Sequence, residues 1–447
     1  MKGRIVIEVS KMENWSYQAK LFNFYVLREL LSLQREAKYS AEKMRAAQER
    51  KIREIVQSAA RYPLYQKKFA DAGLKPEEIH TPEQLAQVAP LTKEEYREII
   101  EQTVKNDPEK YRYCHKGHTS GSTGMPLNVC NTPMEYAHII AQLLFILSSQ
   151  GYPVFRGKSM DMRSPSQTGS DAKSIVQKLG LLRKYYVSTL DDPEVIISRI
   201  NEVQPDELKA GKSIMQSVLR YAYENKKTIY PVKYIVSSAE PMDDYTRMLI
   251  EHFFGPKALI DIYATIESGL IAYTANGDQS RFCLNNSDYL YSVYDTEGNP
   301  AEEGELRITN LFLKEFPMIN YRQGDHVNFV KGDDGKMYLG AVTGRSNDYI
   351  ITKDGKNLSI LHIFPAIAAV YDYVAQYRFV QEDYDSLKLV LVRRPDSVLS
   401  EEQIEEKLRE SLHKYVGDTL QYSFEWVDVI PVDKNDKIRV LINKMKR

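Results

Sequence analysis

At 447 residues the chain is about three times the commonest domain length, long enough for a large core and more than one domain. Its 60 Lys and Arg nearly cancel 61 Asp and Glu, which removes any electrostatic case for nucleic acid or an anionic membrane as partner. Three cysteines, Cys114, Cys130 and Cys283, lie far from CxxC spacing and exclude a disulfide framework or a zinc site of ordinary pattern.

The apolar run from Ile5 to Val9 is broken by Glu8 and is too short for a secretory core, and no apolar run reaches membrane-spanning length. The expectation is a reducing, cytoplasmic setting without membrane insertion; the oligomeric state is left open.

Residues 41–61 carry Ile52, Ile55, Val56 and Ala59 at helical spacing, which predicts a surface helix with one buried stripe. Pro63, the AGLKPEEI turn and Thr81-Pro82 punctuate short helices. LTKEEYREII opens another, with Thr92 as cap and Glu95 three residues on.

HTSGSTGMPLNV (118–129) follows, with Thr119, Ser120, Gly121, Ser122, Thr123 and Gly124 in succession. Glycines let the backbone approach a ligand and turn several N–H groups on one anion, and hydroxyls add uncharged donors. The stretch fits a triphosphate cradle, but it fails the GxxxxGK[ST] pattern of P-loop enzymes. Alone it reads more readily as a polar turn.

YAHIIAQLLFILSS (136–149), VQKLGL and DDPEVIISRINEVQPDEL predict further helices. KYIVSSAE (233–240) and ALIDIYAT (258–265) predict buried strands, so helices and strands alternate as in an α/β layer. After Gly277 the texture turns to strands, YLYSVYD, GELRITN and DHVNFV, with turns at EGNPAEEG and KGDDGK, which predicts an antiparallel unit.

LKLVLVRR is a further strand, and EEQIEEKLRESLHKYVG is a helix with Ile404, Leu408 and Leu412 on one side and Gly417 as its stop. A boundary near Gly344 divides an N-terminal domain, 1–344 with a helical lead-in over 1–110, from a C-terminal domain, 345–447. The fold class is α/β: a large domain of layered α/β sheets plus a β unit, and a smaller α+β domain.

Four more stretches carry chemistry. IYATIES puts Glu267 near a strand end, where α/β sheets gather ligands and a carboxylate suits magnesium. NYRQGD ends in Asp325, whose two oxygens suit a vicinal diol; Arg345 stands beside the boundary; PVDKNDKIRVLINK offers Lys437 in a polar loop. Singly, Glu267 and Asp325 read equally well as solvated strand-end acids. Cys114, His115 and His118 lack partners at ligand spacing, and no structural zinc is predicted.

Loop, YATIE, YRQGD, GRSND and terminal lysine stand in the order and approximate spacing of the adenylate-forming enzymes, the superfamily of acyl-CoA synthetases, adenylation domains and luciferases. The segment YPLYQKKFADAGLKPEEIHTPEQLAQVAPLTKEEYRE resembles the phenylacetate-coenzyme A ligase and CapK-like branch, and the likeness runs from about residue 42 to the end.

The resemblance implies that Thr119 to Gly124 hold the phosphates of ATP while a small carboxylic acid attacks the α-phosphorus. Ser238, Ala239 and Glu240 would line the adenine, and Tyr263 would stack on it; Ala264, also in the cofactor-binding stretch, stands where the family has a glycine. Glu267 would bind magnesium, Asp325 and Arg345 would take the ribose hydroxyls, and Lys437 would bridge the carboxylate and the forming adenylate.

A mobile C-terminal domain would rotate about a hinge at Asn347. The acid pocket is expected in 162–171 and 210–217. The acyl acceptor would be coenzyme A, or an amine or hydroxyl on a polysaccharide precursor or other metabolite. A nucleotidyltransferase and a catalytically weak nucleotide-binding protein are the other readings. Met125 and Leu127 stand where many relatives carry lysines, and Ile266 where a small hydroxyl residue usually contacts the α-phosphate.

Overall fold

In the computed structural model the described residues are 21–118, 127–163, 175–238, 240–345, 349–351, 353, 357–359, 363, 366–367, 369–370, 372–395, 397–416, 420–431 and 440–445. They form two compact units, Met1–Gly151 with Tyr263–Tyr273 and Phe282–Gly340, and Tyr152–Ile262 with Thr274–Arg281 and Ala341–Arg447.

The first unit opens with helices α1 (Phe22–Glu36), α2 (Ala41–Ala59) and α3 (Pro63–Asp71). On α2 the expected stripe Ile52, Ile55, Val56 and Ala59 is fully buried. Helix α4 (Lys93–Asn106) starts at the capping box read from the sequence: Glu95 N–H donates to Thr92 Oγ1 at 3.2 Å, and Thr92 N–H to Glu95 Oε2 at 2.8 Å.

Strands β1 (His115–His118) and β2 (Asn128–Asn131) pair antiparallel, Gly117 opposite Val129 and His118 opposite Asn128, so the hydroxyl-rich stretch is the loop of a hairpin. Helix α5 (Pro133–Ser149) is capped by Thr132 and Glu135 in the same reciprocal way.

The second unit holds parallel strands β3 (Lys158–Arg163), β4 (Arg183–Ser188), β5 (Glu207–Ala210) and β6 (Tyr234–Ser238), and the start of β7 (Leu259–Thr265), in the order β4-β3-β5-β6-β7. One face of this sheet, through Met160, Met162, Leu208, Ala210 and Ile235, shares a core with α6 (Pro193–Val203), α7 (Lys212–Glu224) and α8 (Asp244–Phe254). The stretch ending in DEL is not all helix. After Val203, Gln204 takes a left-handed φ of +52° and stops α6, and Glu207 and Leu208 open β5.

Strands β8 (Gly269–Ala275) and β9 (Asp278–Leu284) flank Asn276–Gly277, both at positive φ, the Asn-Gly pair that favours a tight hairpin turn. Strands β10 (Tyr289–Tyr294), β11 (Glu303–Asn310) and β12 (Tyr321–Lys331) form the expected antiparallel set, and β13 (Met337–Arg345) follows.

The C-terminal segment contains β14 (Tyr349–Ile351) and β15 (Asn357–Ser359), then β16 (Val374–Gln381), β17 (Ser386–Arg393), α9 (Glu401–Val416), β18 (Gln421–Trp426) and β19 (Leu441–Asn443). Its sheet runs β18-β17-β16-β19. Ile404, Leu408 and Leu412 of α9 are fully buried in a core made with Phe379, Leu387, Leu389 and Leu391; Gly417 lies outside the described residues. Among the described residues no helix is long and apolar enough to cross a membrane.

Asp261, on β7, is buried, and burial pushes its carboxyl from 3.8 up to about 7, against the opposing pull of Arg247 and of the Ile262 N–H. A carboxyl raised on folding stabilises fully below its unfolded value and loses that contribution as pH rises through the folded one. Asp261→Asn is therefore expected to be more stable than the parent by about 1–3 kcal/mol at pH 8 and equal to it near pH 4, read from urea midpoints.

Candidate active site

In the first unit three of the chemistry-bearing stretches meet. The hairpin base lies against the YATIES turn: a methyl group built on Gly117 would stand 2.9 Å from Ile266 Cγ2. Thr119 to Gly124, and Met125, lie outside the described residues, but their anchors at both ends are in place.

Leu127 is fully buried. A position read as one of two where phosphate charge goes unmet is thus a core anchor of the hairpin, where a lysine would lose its hydration. Ile266, half exposed at 50%, does present an apolar side chain at the turn.

The turn itself is tied down. Thr265 Oγ1 accepts from the Ser268 N–H at 3.1 Å and from Gln323 Nε2 at 3.2 Å; Ser268 Oγ donates to Gln323 Oε1 at 2.8 Å. Tyr289 OH and Asn310 Nδ2 donate to the Ser268 carbonyl at 2.6 and 3.0 Å. Gly269 follows with φ +84°, a conformation that costs a side-chain-bearing residue energy.

Glu267, two residues beyond the end of β7, is held by this scaffold at 7% exposure. Its carboxylate meets no hydrogen-bond partner or ion pair among the described residues. A nearly buried carboxylate unspent on protein groups suits a hard divalent cation.

Asp325 is placed by an irregularity. Arg307 of β11 pairs with Arg322, but Glu305 pairs with His326, so Gln323, Gly324 and Asp325 bulge from β12, with Gly324 at φ +77°. Tyr263 OH donates to Asp325 Oδ2 at 2.5 Å. The aromatic and the carboxylate assigned by resemblance to the base and the ribose therefore share a hydrogen bond. Gln323 and Ser268, which join YRQGD to YATIES, were not singled out from the sequence; both flank named acids, and that adjacency was the available signal.

The second unit carries the remaining stretches. Ser238 closes β6 and pairs with Ile262, the residue preceding Tyr263 and Ala264 on β7. The Glu240 carboxylate accepts from Ser213 Oγ and, at 3.4 Å, from the Ser213 N–H in the first turn of α7, where helix dipole and unpaired N–H groups favour an anion. Arg345 is the last residue of β13. Ala239, Asn347 and Lys437 lie outside the described residues.

Beside the hairpin, His115 stacks on Tyr136 with ring centroids 3.6 Å apart, and burial lowers its pKa. Among the described residues no group of three or more His, Cys, Asp or Glu could hold a metal.

Residues 350–444 match the CapK C-terminal domain. The chain is 23% identical to protein CapK of Staphylococcus aureus over 378 residues, 80% of each chain. It is 22% identical to the phenylacetate-coenzyme A ligase of Thermus thermophilus over 452 residues, 91% of this chain and 97% of that one. The fold matches a 2-hydroxyisobutyryl-CoA ligase, solved with 2-HIB-AMP in the postadenylation state, at a TM-score of 0.70 and 16% identity over 92% and 91% of the two chains.

Proposed function

We propose that this homologue of CapK and of the phenylacetate-coenzyme A ligases is an ATP-dependent ligase. It would activate a carboxylic acid as acyl-AMP and pass the acyl group to coenzyme A or to an amine or hydroxyl acceptor. The observation that carries this reading is the gathering, within one unit, of the hydroxyl-loop hairpin, the Glu267 turn and the Asp325 bulge, the latter two joined through Gln323.

In the first step a substrate carboxylate oxygen bonds to the α-phosphorus and the bond to the leaving pyrophosphate breaks. In-line displacement of this kind asks the protein for positioning and charge neutralisation more than for covalent chemistry. The 119–124 loop would cradle the phosphates with N–H and hydroxyl donors, and Asp325, oriented by Tyr263, would hold the ribose hydroxyls with Arg345. The backbone of 238–240 would edge the base, since the Glu240 carboxylate is committed to α7. Glu267 would hold magnesium, which when bound offsets triphosphate charge.

Lys437 would close on the reacting oxygens from the C-terminal domain, 345–447, hinged at Asn347. The separate core built on Phe379 and Leu408 supports treating that segment as a domain. In the second step the acceptor attacks the acyl carbon and AMP leaves.

The test is carboxylate-dependent exchange of labelled pyrophosphate into ATP across a broad acid panel, at cytoplasmic pH. Exchange is expected, with a product that has lost AMP. A product that keeps AMP on its acceptor would establish nucleotidyl transfer instead, and no exchange with any acid would remove the ligase reading. In Lys437→Ala, exchange is expected to fall about 100-fold or more with ATP affinity retained, the pattern of a group that acts in the transition state.

A further inference from the structure

Within the first unit, helix α4 and the β1–β2 hairpin flank a cavity of about 410 Å³ that the reaction above leaves unused. Sites for small molecules commonly span about 300–1,000 Å³, with apolar walls and a few placed polar groups.

Both walls follow from local periodicity. On α4, Ile100 and Val104 are one turn apart and line the cavity together, with Glu101 and Lys105 beside them. In the hairpin Lys116 stands directly opposite Cys130, and Asn128, two residues from Cys130, shares their face because side chains alternate along a strand. Gly117, next to Lys116, would direct a side chain the other way, where a methyl group would meet Ile266. The hairpin is therefore a common wall, with the cavity on one face and the turn that carries Glu267 on the other.

The cavity is apolar inside and charged at its rim. Ile100 is 3% and Cys130 5% exposed, and Val104 is half-buried, whereas Glu101, Lys105, Lys116 and Asn128 are exposed. Among the described residues the side chains of Lys105, Lys116 and Asn128 make no hydrogen bond or ion pair. Lys105 and Lys116 against Glu101 leave one positive charge in excess. That excess complements the single charge of a carboxylate better than the nearly doubled charge of a phosphoryl group. An apolar body inside would leave water and gain the contacts that an open cavity forgoes.

We propose that this cavity binds an amphiphilic monocarboxylate, its carboxylate held at the rim by Lys105, Lys116 and Asn128 and its hydrocarbon body laid against Ile100, Val104 and Cys130. The proposal does not depend on the ligase reading, since every group it uses lies on α4 or on the two hairpin strands.

Calorimetric titration of the full chain with octanoate, without ATP, tests it. Octanoate is expected to bind wild type. Octanol, which lacks the charge, and acetate, which lacks the hydrocarbon body, are expected to bind at least tenfold more weakly. Lys105→Gln/Lys116→Gln should weaken octanoate at least tenfold at an unchanged melting temperature, and Lys105→Arg/Lys116→Arg should keep the affinity within threefold. Val104→Trp, which fills the cavity, should abolish binding; should that variant misfold, the exposed lysine pair provides the comparison.

No binding of octanoate to wild type, equal binding of octanol, or equal binding of octanoate by the Gln variant or by a folded Val104→Trp overturns the proposal. Failure of pyrophosphate exchange with every acid would count against the ligase reading and leave this titration to decide the cavity.

Discussion

Replacing His138 by alanine is expected to cost about 3–5 kcal/mol of stability. The imidazole sits between two acids from distant parts of the chain. Nδ1 lies 2.9 Å from Glu29 Oε2 of α1, and Nε2 lies 2.9 Å from Asp288 Oδ2 in the turn before β10. Asp288, fully buried, also accepts from Gln142 Nε2 at 2.7 Å and meets Lys51 Nζ of α2 at 3.4 Å; that lysine reaches Glu36 Oε2 at 2.8 Å. The cluster thus ties α1, α2, α5 and one turn together.

Desolvation opposes each of these charges, so intact the network adds little net stability. Broken, it leaves two carboxylates without their shared cation, and that asymmetry produces the large effect. The urea midpoint should fall with an unchanged slope.

The pH dependence has a definite sign. Burial alone would lower the His138 pKa, but Asp288 and Glu29 outweigh it and raise it from 6.5 to about 9. Its contribution is complete below 6.5 and is lost as pH rises through 9. Burial likewise opposes the charge on Glu29, yet His138 and Arg28 lower its pKa from 4.5 to about 2, and Asp288 is held below its usual range by His138 and Lys51. Their contribution is present above about 4.5 and is lost as pH falls toward 2. The gap between wild type and His138→Ala should therefore be widest near pH 5–6 and narrow on both sides. A gap that does not change with pH would mean the imidazole is neutral.

His138 also illustrates what one sequence conceals. It lies within a helix correctly read from its apolar content, but its partners are 109 and 150 residues away, and no local spacing links them. By contrast α9, β6, β7 and the Thr92 cap were legible, because periodicity and capping are local signals.

Strands β3, β4 and β5 were missed for a physical reason. Each has four to six residues, and alternate positions carry Asp161, Arg163, Lys184, Glu207 and Lys209. A buried parallel strand usually reads as a continuous apolar run, and charge on one face erases that run. Of the candidate site, the acids Glu267 and Asp325 stand out in the sequence as members of an ordered set of motifs. The devices that aim them, the Gln323 staple and the bulge at Gly324, depend on pairing between strands.

The second large effect is expected at Glu267. Glu267→Gln keeps the shape of the side chain and removes its charge, and it leaves the turn intact, because Thr265, Ser268, Gln323, Tyr289 and Asn310 hold the turn without using the Glu267 carboxylate. Removing a charge that meets no partner among the described residues, at 7% exposure, should leave the melting temperature unchanged or raise it slightly.

Pyrophosphate exchange, in contrast, should fall about 100-fold or more, about 2.7 kcal/mol of lost transition-state stabilisation, and half-saturation by magnesium should move to higher concentration. A structural role predicts the opposite pattern, with lower stability and an unmoved metal dependence. Exchange within threefold of wild type would end the metal assignment.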